Sequence, residues 1–362
     1  MEPENRARAI AGILKEESDK TGKMSVFVIT SFPREEDTEI LFPAARETVT
    51  NVVGFCELGD RNAIIDVLKA VDGLVDFALI DVEKKVSGLP DPYSLAADEL
   101  KTTQVLTYKD NDVWVRAVDM LISFLKTDIV DARVTIVGES NIAYKLALKA
   151  AERGSIVKIA CGDSSEEARI KAIVQGLNLM KVSCAKHSIE YSFDPVSAAA
   201  DADVLIGAKI KSPTVTLEVV KAAAPDCVFI DAGIGTFTSE SADYVRKSGS
   251  MVYRFDNRAT LSSEILALLE TRDLIQNVMG EGKIAGVPVV AGGVIGKDGT
   301  VIVDSISHPT HVIGLADGTG RVRYEARDGT EKQRLRIVRQ AIGQGSGETS
   351  LGIDENTGND KV

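Results

Sequence analysis

Short apolar runs rich in Val, Ile and Phe alternate along this chain with segments whose apolar positions recur every three or four residues. The runs 24–32 (MSVFVITSF) and 74–82 (LVDFALIDV) predict strands, and 103–108 a shorter one. Between them, 61–71 places Ile64, Ile65, Leu68 and Val71 on one face and predicts a helix. A strongly apolar helix over 112–125 contains the only Trp and joins this first region to a second.

In the second region the alternation is clearest. Strands are expected at 133–137, 156–161, 204–208, 228–231 and 251–255. A helix over 141–153 ends at Gly154, Ser164 and Glu167 have the spacing of a capping box, and a further helix starts near Thr216. Strands and helices at this spacing imply right-handed crossovers and a doubly wound sheet. A long helix, 262–279, leads to a Gly-rich region with strands at 288–295, 300–306 and 321–324, separated by turn signals at Lys297-Asp298-Gly299 and Asp317-Gly318. The expected fold class is therefore α/β. An N-terminal α/β substrate domain (1–125) precedes a Rossmann-like doubly wound domain (126–280), a β-meander extension (281–342) and a polar, disordered tail (343–362).

Composition narrows the function classes. Asp and Glu outnumber Lys and Arg 54 to 42, and the net charge of −12 argues against a nucleic-acid partner. No apolar run approaches the roughly 20 residues that cross a bilayer, and the charged start lacks a signal peptide's apolar stretch. Four cysteines without CxxC spacing fit a reduced, cytoplasmic setting. The expected partner is a small-molecule substrate, and the long helix and the meander offer faces for a homodimer.

The candidate chemistry centres on the turn from the strand at 133–137 into the next helix. Gly138 permits a tight turn, Ser140 caps the helix, and Ala143 lets helix and strand pack closely. Backbone amides and a helix dipole at such a place can hold a diphosphate. Asp163 follows Gly138 by about 25 residues, near the spacing of a ribose-binding acid, which would favour NAD over NADP; capping of the next helix is its other reading.

The stretch Val137-Gly138-Glu139-Ser140-Asn141-Ile142 resembles the Gly-Arg-Ser phosphate loop of bifunctional methylenetetrahydrofolate dehydrogenases. The stretches 202–208 (ADVLIGA) and 228–234 (VFIDAGI) resemble two later signatures of that family, and 291–294 (AGGV) is similar to a loop near its active site. The resemblance covers about residues 133–235. It implies cofactor contacts from Gly138, Glu139, Ser140, Asn141, Ile142, Ala208, Asp231, Gly233 and Ile234. Glu139 replaces the family's loop arginine, again pointing away from NADP, and the family's Tyr-x-x-x-Lys pair is missing from the first region.

The function expected from these features is an NAD-dependent oxidoreductase, a dehydrogenase or imine reductase acting on a small polar metabolite such as an amino or keto acid. Two alternatives stand beside it: an NAD-dependent cyclase or lyase that retains its cofactor, and a non-catalytic nucleotide-binding module. Strand ends supply the candidate proton-transfer groups, Lys209, Lys211 and Lys109. Lys84, Lys85, Tyr108 and Asp110 are candidates for the substrate side of the first region, with Gly292, Gly293, His308 and His311 for the third. As a metal pair the two histidines lack a third ligand, so no metal is expected.

Overall fold

The computed structural model describes residues 2–32 and 37–344. The chain is α/β and divides into two compact units, one ending at Glu264 and the other starting at Ile265. The first unit contains two parallel sheets.

The first sheet comprises β1 (Met24–Ser31), β2 (Arg46–Glu47), β3 (Asn51–Leu58), β4 (Phe77–Asp81) and β5 (Gln104–Tyr108), in the order β2-β3-β1-β4-β5. All pairs are parallel except that of the short edge strand β2 with β3. β1 and β4 are buried nearly throughout, which explains their continuous apolar runs: helices cover both faces of such a sheet. The helix Arg61–Val71 forms because its apolar residues fall on one side and Asp60 caps it, accepting from the Ala63 N–H. It buries Ile64 and Leu68 against Phe27 and Ile80, together with Leu14 of the helix Pro3–Thr21. Each such aliphatic side chain contributes about 1.5–3 kcal/mol on burial.

The second sheet comprises β6 (Arg133–Val137), β7 (Ile156–Ala160), β8 (Glu190–Ser192), β9 (Val204–Gly207), β10 (Val228–Asp231) and β11 (Val252–Arg254). It is parallel throughout, in the order β11-β10-β9-β6-β7-β8. The strand order reverses between β6 and β9, as in a doubly wound fold. The helices Asp110–Leu125 and Asn141–Glu152 share its core through Trp114, Val118, Ile142 and Leu146. The apolar helix expected at 112–125 thus starts from the first sheet and packs on the second.

The second unit holds a sheet of β12 (Gly280–Ile284), β13 (Val287–Ala291), β14 (Val301–Val303), β15 (Val312–Ala316) and β16 (Val322–Arg323), in sequential order. The β13–β14 pair is parallel and the others antiparallel. The helix Gly329–Ala341 adds Leu335 and Val338 to the core of this sheet. The tail expected from 343 lies almost wholly outside the described residues. Among the described residues, no helix is long and apolar enough to cross a membrane.

Candidate active site in the cleft between the parallel sheets

Strands in an open parallel sheet present their C-terminal ends to ligands. In the first unit those ends border a cleft of about 340 Å³. The first sheet and the helix after it contribute Thr30, Arg46, Glu57, Tyr108, Asp110 and Trp114. Ile234 enters from the loop after β10, Arg254 from the end of β11, and Phe255 and Asp256 from just beyond it. Trp114 joins the two walls: its Nε1–H donates to the Ala232 carbonyl at 2.8 Å, and its ring stacks on Phe255 with centroids 4.8 Å apart.

A charged network backs the cleft residues Thr30, Tyr108 and Asp110. Lys85 follows β4, its side chain only 6% exposed, and its Nζ lies 2.7 Å from Asp81 and 2.8 Å from Asp110. Burial opposes the charge on Lys85, but the two carboxylates outweigh it and raise its pKa. The Thr30 hydroxyl donates to Asp81 at 3.0 Å, and the Tyr108 hydroxyl to Asp110 at 3.4 Å. Burial, then the charges of Asp110 and Asp81, push the Tyr108 phenol well above its ordinary value. Beside them lies Glu57, near the end of β3. Burial raises its pKa above the ordinary carboxylate value, Asp37 and Asp110 add to the rise, and Lys211 opposes it. Lys211 reaches Glu57 from the second sheet, its Nζ 3.4 Å from that carboxylate and 3.0 Å from Asp37.

Two residues in loops after the second sheet's strands have left-handed backbones: Lys211, which reaches Glu57, at φ 52° and the β-branched, cleft-lining Ile234 at φ 60°. Such conformations cost on the order of 1–3 kcal/mol and persist where surrounding bonds over-determine them. For Ile234 the bonds come from Asp231. That buried carboxylate accepts from the N–H groups of Gly233, Gly235 and Thr236 and from the Thr236 hydroxyl. Asp231 thus holds the turn that puts Ile234 on the cleft wall.

The loop at Gly138 is arranged differently from the expected phosphate cradle. The Ala143 N–H donates to Ser140 Oγ and the Ile142 N–H to Asn141 Oδ1, so side chains occupy the amides that would face a diphosphate. The Ser140 hydroxyl is itself committed to the Ala208 carbonyl at 2.9 Å. Glu139 lies across the ends of β6 and β7, accepting from the Gly162 N–H at 3.1 Å with Lys209 Nζ at 3.3 Å. A diphosphate there would meet this carboxylate. Gly138 has φ 120°, and a Cβ on it would stand 2.7 Å from the Lys209 nitrogen; its glycine serves close packing of two strand ends. Asp163 is exposed and caps the following turn, accepting from the Ser165 N–H and hydroxyl.

The remaining candidates are spread out. Lys109 is exposed and paired with Asp112 at 2.6 Å, and Lys84 is exposed. Gly292, Gly293, His308 and His311 belong to the second unit. There Gly292 and Gly293 make a left-handed turn against Met279, and His311 sits beside Thr310 and Asp304. Of the sequence candidates, the structure brings Lys211, Lys85, Tyr108, Asp110 and Ile234 together. Glu57, Arg46 and Arg254 are cleft residues the sequence reading missed. A lone carboxylate in the apolar run 51–58 was the available signal for Glu57, but that run had not been read as a strand.

No family model matches the chain, and no curated protein matches it. Among solved structures, it is similar to ornithine carbamoyltransferase from Pyrococcus furiosus, at 18% identity and TM-score 0.42, covering 72% of this chain and 91% of that one. Ornithine carbamoyltransferase from Campylobacter jejuni gives 14% identity and TM-score 0.40, covering 74% and 96%. The A chain of dipicolinate synthase from Bacillus subtilis gives 15% and 0.34, covering 68% and 78%. At these identities and TM-scores the likeness carries none of their reactions to this chain.

The expected kinship with methylenetetrahydrofolate dehydrogenases is corrected by these findings: the similar structures bear carbamoyltransferase and dipicolinate synthase titles. The NAD-dependent oxidoreductase reading falls with it, as do NAD and NADP as cofactors and both alternatives, the NAD-dependent cyclase or lyase and the nucleotide-binding module. The physical reason lies in the Gly138 loop, where helix-start amides are capped by their own side chains and a carboxylate stands where a diphosphate would lie.

Proposed function

We propose that the chain is an enzyme performing acid–base chemistry on a small polar metabolite in the cleft between its two parallel sheets. Glu57 is the proton-transfer group, and the Tyr108–Asp110–Lys85 network orients the substrate beside it. The observation that carries this reading is Glu57 itself. It is a largely buried carboxylate at a strand end, lining a cleft, with a proton affinity raised by burial and by like charges. Such tuning suits a general acid or base. The strained Ile234 on the facing wall and the strained Lys211 paired with Glu57 support the same reading, because strain of this kind concentrates at functional sites.

The test is proton NMR of pooled small polar metabolites incubated with the protein in deuterium oxide. The expected outcome is conversion of, or deuterium entry into, at least one metabolite, lost in E57Q. Turnover that persists unchanged in E57Q would contradict the assignment.

A further inference from the structure

Two arginines reach the cleft from opposite walls. Arg46 belongs to the edge strand β2 of the first sheet, and Arg254 ends β11 of the second. Among the described residues, neither is ion-paired. Asp256, the nearby carboxylate on the second wall, is ion-paired with Arg258 at 2.7 Å and attracts Arg46 only at longer range. Both line the same cleft, so one bound anion can pair with both. Guanidinium groups are suited to the task, since their planar fork meets a carboxylate or phosphate through paired hydrogen bonds. The same cleft carries aromatic surface: Trp114 stacks on Phe255 at an interplanar angle of 24°, and Phe55 also lines it.

We propose that the cleft takes a small organic anion with a planar body, its carboxylate or phosphate held by Arg46 and Arg254 and its plane against the aromatic wall of Phe55, Trp114 and Phe255. The inference deepens the acid–base reading, because it places the anionic end at the rim and the reacting end toward Glu57. About 340 Å³ accommodates a ligand of one ring and its substituents.

The chain has a single Trp, so its fluorescence reports on this wall alone. The experiment titrates the full chain with benzoate, phenyl phosphate, the neutral benzamide and the cationic benzylammonium, following Trp114 emission. The expected result is saturable binding of benzoate or phenyl phosphate, roughly tenfold or more tighter than benzamide, with the tighter anion naming the group the site prefers. R46Q and R254Q should each weaken the anion by a similar factor and leave benzamide unchanged. Both arginines are exposed, so neither variant endangers the fold. Equal binding of benzylammonium, no binding of either anion, or unchanged anion affinity in both variants would overturn the proposal. Any of these alongside Glu57-dependent metabolite exchange would refute the anion site alone.

Discussion

Carboxylates are treated oppositely in the cleft of the first unit and in the second unit. In the cleft, burial pushes Glu57 up against the pull of Lys211, and beside it burial pushes Glu83 up against the Asn111 N–H and Lys85. In the second unit, Glu331 is held at about 2 by hydrogen bonds from Arg323 and the Arg327 N–H. Asp304 and Asp317 are also lowered to about 2, bonded by Thr310 and His311 in one case and by Thr319 and Arg321 in the other. A carboxylate surrounded by donors is a fixed part of the fold. One whose burial outweighs the donors it keeps, Lys211 for Glu57 and the Asn111 N–H for Glu83, holds a proton more readily than a free carboxylate. The contrast separates structural acids from a chemical one where composition cannot.

The contrast can be broken in several ways. The largest effect is expected for K85M, which leaves Asp81 and Asp110 without their shared cation. Removing one partner of a buried pair costs about 3–5 kcal/mol, read by urea unfolding. D231A removes the acceptor that gathers Gly233, Gly235 and Thr236. It should cost about 2 kcal/mol and disorder the Ile234 wall, seen as a changed Trp114 emission.

E331Q sharpens the other side. Glu331 has its pKa lowered on folding, so its stabilisation is present above the ordinary value of 4.5 and is lost as pH falls toward about 2. The stability gap between wild type and E331Q should close over that window. E57Q should show the smallest effect and the opposite sign. Glu57 has its pKa raised on folding, so its contribution is full below 4.5 and is lost as pH rises through the folded value. E57Q should therefore gain on wild type as pH rises above 4.5, in the same unfolding experiment.

Much of the architecture was legible in the sequence. The strands 133–137 and 228–231 and the helix 61–71 agree residue for residue with the structure, because each is bounded by a turn residue or a cap. The strand Asn51–Leu58 was not read, since Gly54 and Glu57 interrupt its apolar pattern. Yet Gly54 is there to admit Ile10 and Leu14, and Glu57 faces the cleft. The helix Gly329–Ala341 was hidden by its many charges; only Leu335 and Val338 among its apolar residues are buried. The Gly138 loop misled for a related reason. A strand–glycine–helix turn looks the same whether its amides face a ligand or are capped by Ser140 and Asn141. Only tertiary contacts, here Glu139 reaching Gly162, distinguish the two. Lys211 was legible as a strand-end lysine, but its partners lie 154 and 174 residues away in the chain, beyond any local pattern.

The most direct measurement is the titration of the Glu57 side-chain carboxyl by carbon NMR in the folded protein, assigned by comparison with E57Q. The account predicts a midpoint above 4.5, rising further in K211M as the opposing cation is removed. A midpoint at or below 4.5, unmoved by K211M, would contradict it.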